Sequence, residues 1–222
     1  MYYMADFKLM VDKLSVFDPN PNPQQRILSL YSAAVAMADP SILESVINMA
    51  GKNNISSKQL YEIILQSYLF VGFPRMIEAA DHLSSIIEID GGHPRLTPVS
   101  SEESEKWFIE GQRLCQKVYG EKYDILRKRV ESFAPEIFRW MIYEGYGKVL
   151  SRPGLNIVDR ELAIISCLIV ELRERQLYSH IIGALNVGAD EKLVMQVVED
   201  MEIFSGEGCH MALKILNKLG IN

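Results

Sequence analysis

LAIISCLIVELRERQLYSHIIGALNVG, residues 162–188, sets a charged stretch between two apolar ones. "LAIISCLIV" (162–170) is apolar almost throughout, "ELRERQLYSH" (171–180) bunches the charges, and "IIGALNVG" (181–188) returns to amphipathic spacing. Charged residues gathered between two hydrophobic segments predict a helix–helix corner. The corner ends in His180, which is either a satisfied packing imidazole or a proton carrier.

The same helical signal runs outward along the chain. Apolar residues recur at three- and four-residue spacing through 26–37, 57–71, 104–118, 134–143, 159–170 and 190–204, and strand-like alternation is almost absent. Asp39-Pro40 offers an N-cap with proline in the first turn. Ser56 and Asp190 precede two further helices, and Gly188 stands where a helix should stop. The fold class expected is therefore all-α. One stretch, "EIDGGHPRLTPVSSEES" (88–104), has the glycines, prolines and serines of a linker.

A shift of the chain over itself by 134 residues adds a repeat. "NPQQRILSLYS" (22–32) then falls on "NIVDRELAIIS" (156–166), and "ILESVINMAGKNNISSK" (42–58) on "QLYSHIIGALNVGADEK" (176–192). "LFVGFP" (69–74) falls on "IFSGEG" (203–208) without a gap. Two tandem copies of one helical unit follow, an N-terminal copy in 1–87 and a C-terminal copy in 105–222, joined by 88–104. The copies differ where chemistry could sit. Glu161 falls on Ile27 and His180 on Val46, so only the second copy carries an acid and an imidazole at these places. Arg26 and Arg160 coincide, and a residue kept in the copy that lacks the polar pair is expected to be structural.

Composition excludes several classes. With 48% hydrophobic and 23% charged residues, the chain can bury a sizeable core. A net charge of −6 argues against a nucleic-acid surface. The densest basic run, "LRKRVE" (126–131), reads as a solvated helix face. No apolar run approaches the roughly 20 residues of a membrane span, and the N-terminal "MYYMADFKLM" lacks a signal-peptide pattern. Cys115, Cys167 and Cys209 are widely spaced and odd in number, which fits a reduced cytoplasmic chain. His82 and His93 have no partners at ligand spacing, so no metal site is expected.

At "SRPGL" (151–155), "DREL" (159–162) and "QLYSHIIGALNVGA" (176–189) the sequence resembles the carboxymuconolactone decarboxylase family, with its alkylhydroperoxidase-D-like fold. The resemblance follows 134–208 nearly throughout, and "LYEIILQSYLFVGFPRMIEAA" (60–80) resembles the family's later helices. It implies Glu161 and His180 as the family's glutamate and histidine. The peroxidase branch places two cysteines between them, and those positions here are Arg173 and Gln176. Without the thiols a disulfide relay has no parts, and thiol peroxidase activity is disfavoured. The resemblance implies instead a cofactor-free lyase that removes carbon dioxide from a small carboxylated lactone or related acid. A non-catalytic or divergent member that binds a small molecule or protein is the alternative.

Such a lyase must bind carboxylates, exclude water and deliver a proton. His180 is the candidate proton donor, because imidazole titrates near neutral pH. Glu161 would orient it, or else it is a helix-start acid favoured by the macrodipole. Arginine suits carboxylates. Arg152, in the "SRPGL" loop, is the first choice, with C-capping of the helix ending near Lys148 as its other reading. Arg173 and Arg175 are weaker candidates, since corner arginines are mostly solvated. Tyr146, between the glycines of "EGYG" (144–147), is either aimed into a pocket or part of a helix terminus. Helices apolar on more than one face, such as 159–170, call for further partners. Single-copy members of the family form rings of six, so two-copy chains imply a homotrimer of pseudo-sixfold shape.

Overall fold

The structure, a computed structural model, describes residues 4–92 and 97–221. Every regular element among them is helical. None is long and apolar enough to cross a membrane. In chain order they are α1 (Met4–Ser15), α2 (Pro23–Met37), α3 (Pro40–Lys52), α4 (Ser57–Ile86), α5 (Ser101–Tyr119), α6 (Tyr123–Glu131), α7 (Pro135–Trp140), α8 (Ile157–Val170), α9 (Glu174–Asn186), α10 (Glu191–Asp200) and α11 (Gly206–Lys218). A π-helical segment, Met141–Leu150, continues α7. The expected linker is shorter than 88–104, because Ser100 caps α5 and the helix runs from Ser101. His93, in the same stretch, lies outside the described residues.

Local chemistry sets the helix starts. Asp39 accepts hydrogen bonds from the backbone N–H groups of Ser41 and Ile42 as Pro40 opens α3. Ser56 and Gln59 form a reciprocal capping box on α4. The Asn156 side chain accepts from the Asp159 N–H at the head of α8. Asp190 does the same for α10. Inside α4 the helix breaks at Gly72, whose φ of 81° and ψ of 169° suit a residue without Cβ, and Pro74 follows. The apolar periodicity that ends at 71 stops for that reason. At the 171–173 corner the chain reverses through Leu172, which has a positive φ of 54°.

Two helices have almost no solvent-facing side. Every residue of α2 from Arg26 to Ala36 is buried, and so is every residue of α8 from Asp159 to Val170. They pack along each other, with α4, α9, α10 and α11 against α8. The all-round apolar character of 159–170 is thus satisfied within one chain. The expectation that this helix needs neighbouring chains is corrected accordingly.

The polar residues in this layer are paired across it. Arg26 donates to both carboxylate oxygens of Asp200 at 2.8 Å. Arg160, wholly buried, donates to Glu62 at 2.8 Å and to Gln66 at 3.1 Å. Gln25 donates to Asp159 at 3.1 Å. The pattern is reciprocal in the numbering: Arg26 and Arg160 are 134 residues apart, as are Gln66 and Asp200, and Gln25 and Asp159. The starts of α2, α3 and α4 at 23, 40 and 57 also recur at 157, 174 and 191.

Glu62 carries two arginines, because Arg152 joins Arg160 on it. Burial pushes its carboxyl pKa up. Hydrogen bonds from Arg152 and Arg160, and their charges, outweigh burial and leave it below the ordinary 4.5. A lowered folded-state pKa gives stability that is complete above the unfolded value and disappears as pH falls through the folded one. Glu62→Ala strands the Arg160 guanidinium and should cost about 3–5 kcal/mol in urea denaturation at pH 7. The gap between wild type and Glu62→Gln should narrow as the pH is taken below 4.5.

Candidate active site

Glu161 lies one turn into α8 and His180 near the middle of α9, and the tight corner folds these helices together. The His180 Nδ1–H donates to Glu161 Oε2 at 2.8 Å, with both side chains buried. Nε2, the other ring nitrogen, has no hydrogen-bond partner among the described residues. Phe70 meets the imidazole edge-on, with ring centroids 5.6 Å apart. The second carboxylate oxygen, Glu161 Oε1, is buried without a hydrogen-bond partner.

His180 stands in the wall of a cavity of about 590 Å³. That is within the usual range for small-molecule sites. One face of α9 supplies Arg175, Gln176, Ser179 and His180, since residues four apart on a helix share a face. Leu69 and Phe70 come from the kinked part of α4, and Leu126, Arg129 and Val130 from α6. Ile137 and Trp140 of α7 complete the wall with Met141, Glu144, Tyr146 and Leu150 of the π-helical segment. The basic run 126–131 is therefore only half a solvated face: Arg127 pairs with Glu131 outside while Leu126, Arg129 and Val130 look onto the cavity.

Two phenols share the cavity wall with the imidazole. Tyr119, the last residue of α5, and Tyr146 are hydrogen-bonded to each other, with ring centroids 6.2 Å apart. Burial, with the charge of Glu161 adding to it, pushes Tyr119 up to about 12 and Tyr146 well above its ordinary value. The same two causes push Cys115 up to about 12. Burial followed by the charge of Glu171 does so for Cys167. Neither cysteine has thiolate character near neutral pH, and all three are free and buried.

The structure brings His180, Glu161 and Tyr146 together and leaves two other expected residues elsewhere. The Arg152 guanidinium is held by both oxygens of Glu62, 2.9–3.1 Å away, and does not line the cavity. Its Nε and Nη2 are taken by an acid from α4. Arg173 is largely exposed at the head of α9, 3.7 Å from Glu171. Gln176, one turn before His180, does face the cavity. Sequence reasoning missed Phe70, Tyr119 and Arg129. Phe70 carried a signal, since it coincides with Phe204 in the 134-residue overlay.

The "EGYG" glycines mark neither a turn nor a helix end. They lie within the π-helical winding, a form frequent at functional sites. A Cβ on Gly147 would stand 2.0 Å from the Trp107 carbonyl oxygen, so α5 and the π-helical segment pack backbone to backbone.

No protein-family profile matches the chain. It is 27% identical over 138 residues to Peroxisomal protein 2 of Schizosaccharomyces pombe, a match covering 62% of this chain and 64% of that protein's length. It is 25% identical over 123 residues to 4-carboxymuconolactone decarboxylase of Acinetobacter baylyi, covering 53% of this chain and 92% of that enzyme. These similarities are distant, and the second is a family-level link to carboxymuconolactone decarboxylase.

Gly147→Ala should cost about 1–3 kcal/mol by overpacking. Gly145→Ala should be tolerated, because its Cβ would meet only the Trp140 carbonyl oxygen at 4.0 Å. Thermal unfolding of the two variants compares them directly.

Proposed function

We propose that the chain is a carboxymuconolactone-decarboxylase-like lyase that acts, without a cofactor, on a small carboxylated lactone or related acid. The observation that carries this reading is the buried Glu161–His180 hydrogen bond, which leaves Nε2 facing a cavity of about 590 Å³. In the reaction the bond between ring carbon and carboxylate breaks. Its electron pair enters the conjugated lactone and carbon dioxide leaves. The imidazolium Nε2–H then gives its proton to the carbon of the conjugated lactone on which that electron pair comes to rest. Glu161 holds the ring through Nδ1 and leaves Nε2 as the nitrogen that handles the proton. The apolar walls exclude water from the departing carboxylate.

Arg175 and Arg129, both exposed and both lining the cavity, are suited to a carboxylate that the substrate retains. Arg152 and Arg173 support the structure in this reading. Tyr146 positions Tyr119 beside the imidazole.

Two tandem copies of one helical unit, 1–87 and 105–222, account for the recurrence of helix starts and cross-layer pairs at a spacing of 134. Contacts related in this way are those of an isologous pair. The proposal extends to a homotrimer of pseudo-sixfold shape. Its support lies in the family-level similarity. We place the chain in the cytoplasm. A tagged chain that co-localises with peroxisomes would move it to the compartment in its relative's name.

A ligand-binding reading without catalysis is favoured by one observation, the predominantly apolar lining. Turnover distinguishes the two. Wild type should release carbon dioxide from carboxymuconolactone-type acids, and His180→Ala should lose the rate by about 10²–10⁴-fold while remaining folded. An unchanged rate in the variant would remove His180 from the chemistry. Light scattering should give three chains per particle, and a monomer would refute the trimer.

A further inference from the structure

The cavity holds more apolar surface than a compact lactone could use. Phe70, Leu126, Val130, Met141 and Leu150 line it, with Trp140 and Ile137 beside them. Phe133, Ile137 and Trp140 are also well exposed, at 67%, 45% and 56%, so the apolar wall continues out through the mouth. Exposed aromatic residues rimming a concave site mark a surface that a ligand covers.

The charges on this wall are arranged by depth. Glu161 is buried behind His180, and Glu144, also in the lining, is held by the Tyr68 hydroxyl at 3.1 Å and by Lys148. Glu161 disfavours an anion deep inside, whereas Glu144 is partly exposed and its charge is partnered by Lys148. Arg129 and Arg175 line the cavity from exposed positions, and neither guanidinium has a hydrogen bond or ion pair among the described residues. In contrast, Arg26, Arg113, Arg127, Arg152 and Arg160 are all engaged with acids. Two uncommitted guanidinium groups at the rim of an apolar cavity form an anion clamp with a greasy interior.

We infer that the ligand is an amphipathic carboxylic acid with a large apolar body, aryl or acyl. Its retained carboxylate lies on Arg129 and Arg175 and its body between Phe70, Leu126 and Trp140, reaching toward His180. This rests on the proposed placement of the site at Glu161–His180, and it replaces the compact acid by an extended one.

Decanoate, adipate and 1-decanol test the inference on the intact chain through tryptophan emission. The chain has two tryptophans, and Trp140 lines the cavity. Decanoate should shift the emission saturably with one molecule per chain, and Trp140→Phe should abolish the signal. Adipate and 1-decanol should each bind about tenfold more weakly or worse. The double variant Arg129→Ala/Arg175→Ala should weaken decanoate by about tenfold or more without affecting 1-decanol. Both arginines are exposed, so the variant should fold.

Adipate binding as tightly as decanoate would overturn the inference, as would decanoate binding indifferent to the arginines. No decanoate binding at all would also overturn it. If wild type binds decanoate in the arginine-dependent way but turnover is unaffected by His180→Ala, the lyase reading fails and the ligand class stands. If compact lactones are turned over in a His180-dependent way while adipate matches decanoate, the lyase reading stands and the ligand class fails.

Discussion

The buried contact between α2 and α8 is the constraint on which the rest depends. Two helices without a wet side can carry Arg26, Arg160 and Glu161 only if each charge finds a partner in the layer or faces a cavity. Asp200 answers Arg26, and Glu62 with Gln66 answers Arg160. Glu161 has no arginine; it has the imidazole of His180 on one oxygen and nothing on the other. Of these buried charges in the central layer, it is the one whose partner, His180, lines the cavity.

That difference separates framework from site. Arg152 and Arg160 converge on one acid, so they hold α4 against α8 and against the loop before it. Breaking such a pair leaves an uncompensated buried charge, which is why these residues serve the fold. Arg129 and Arg175 lie where water screens them and no acid claims them. Their charge is available to an anion entering the cavity, at little cost to the unoccupied protein.

Much of the fold was legible in the sequence. The capping residues Asp39, Ser56 and Asp190 are local signals that survive packing. The overlay that set Glu161 on Ile27 and His180 on Val46 singled out the pair that the structure joins. What the sequence could not show depends on contacts far along the chain. Arg152 meets Glu62 from 90 positions away. Tyr119, Phe70 and Arg129 reach the cavity from three separate helices. Nor does periodicity reveal π-helical winding, because Gly147 is shaped by its approach to the Trp107 backbone on α5.

The central claim is that His180 hands a proton to substrate carbon from the end of the Glu161 hydrogen bond. Turnover in D₂O followed by analysis of the product tests it most directly. The account predicts one deuterium, in a single configuration, at the lactone carbon that takes the proton, and no such stereochemical preference in residual product from His180→Ala. A product deuterated in both configurations by the wild-type protein would contradict it.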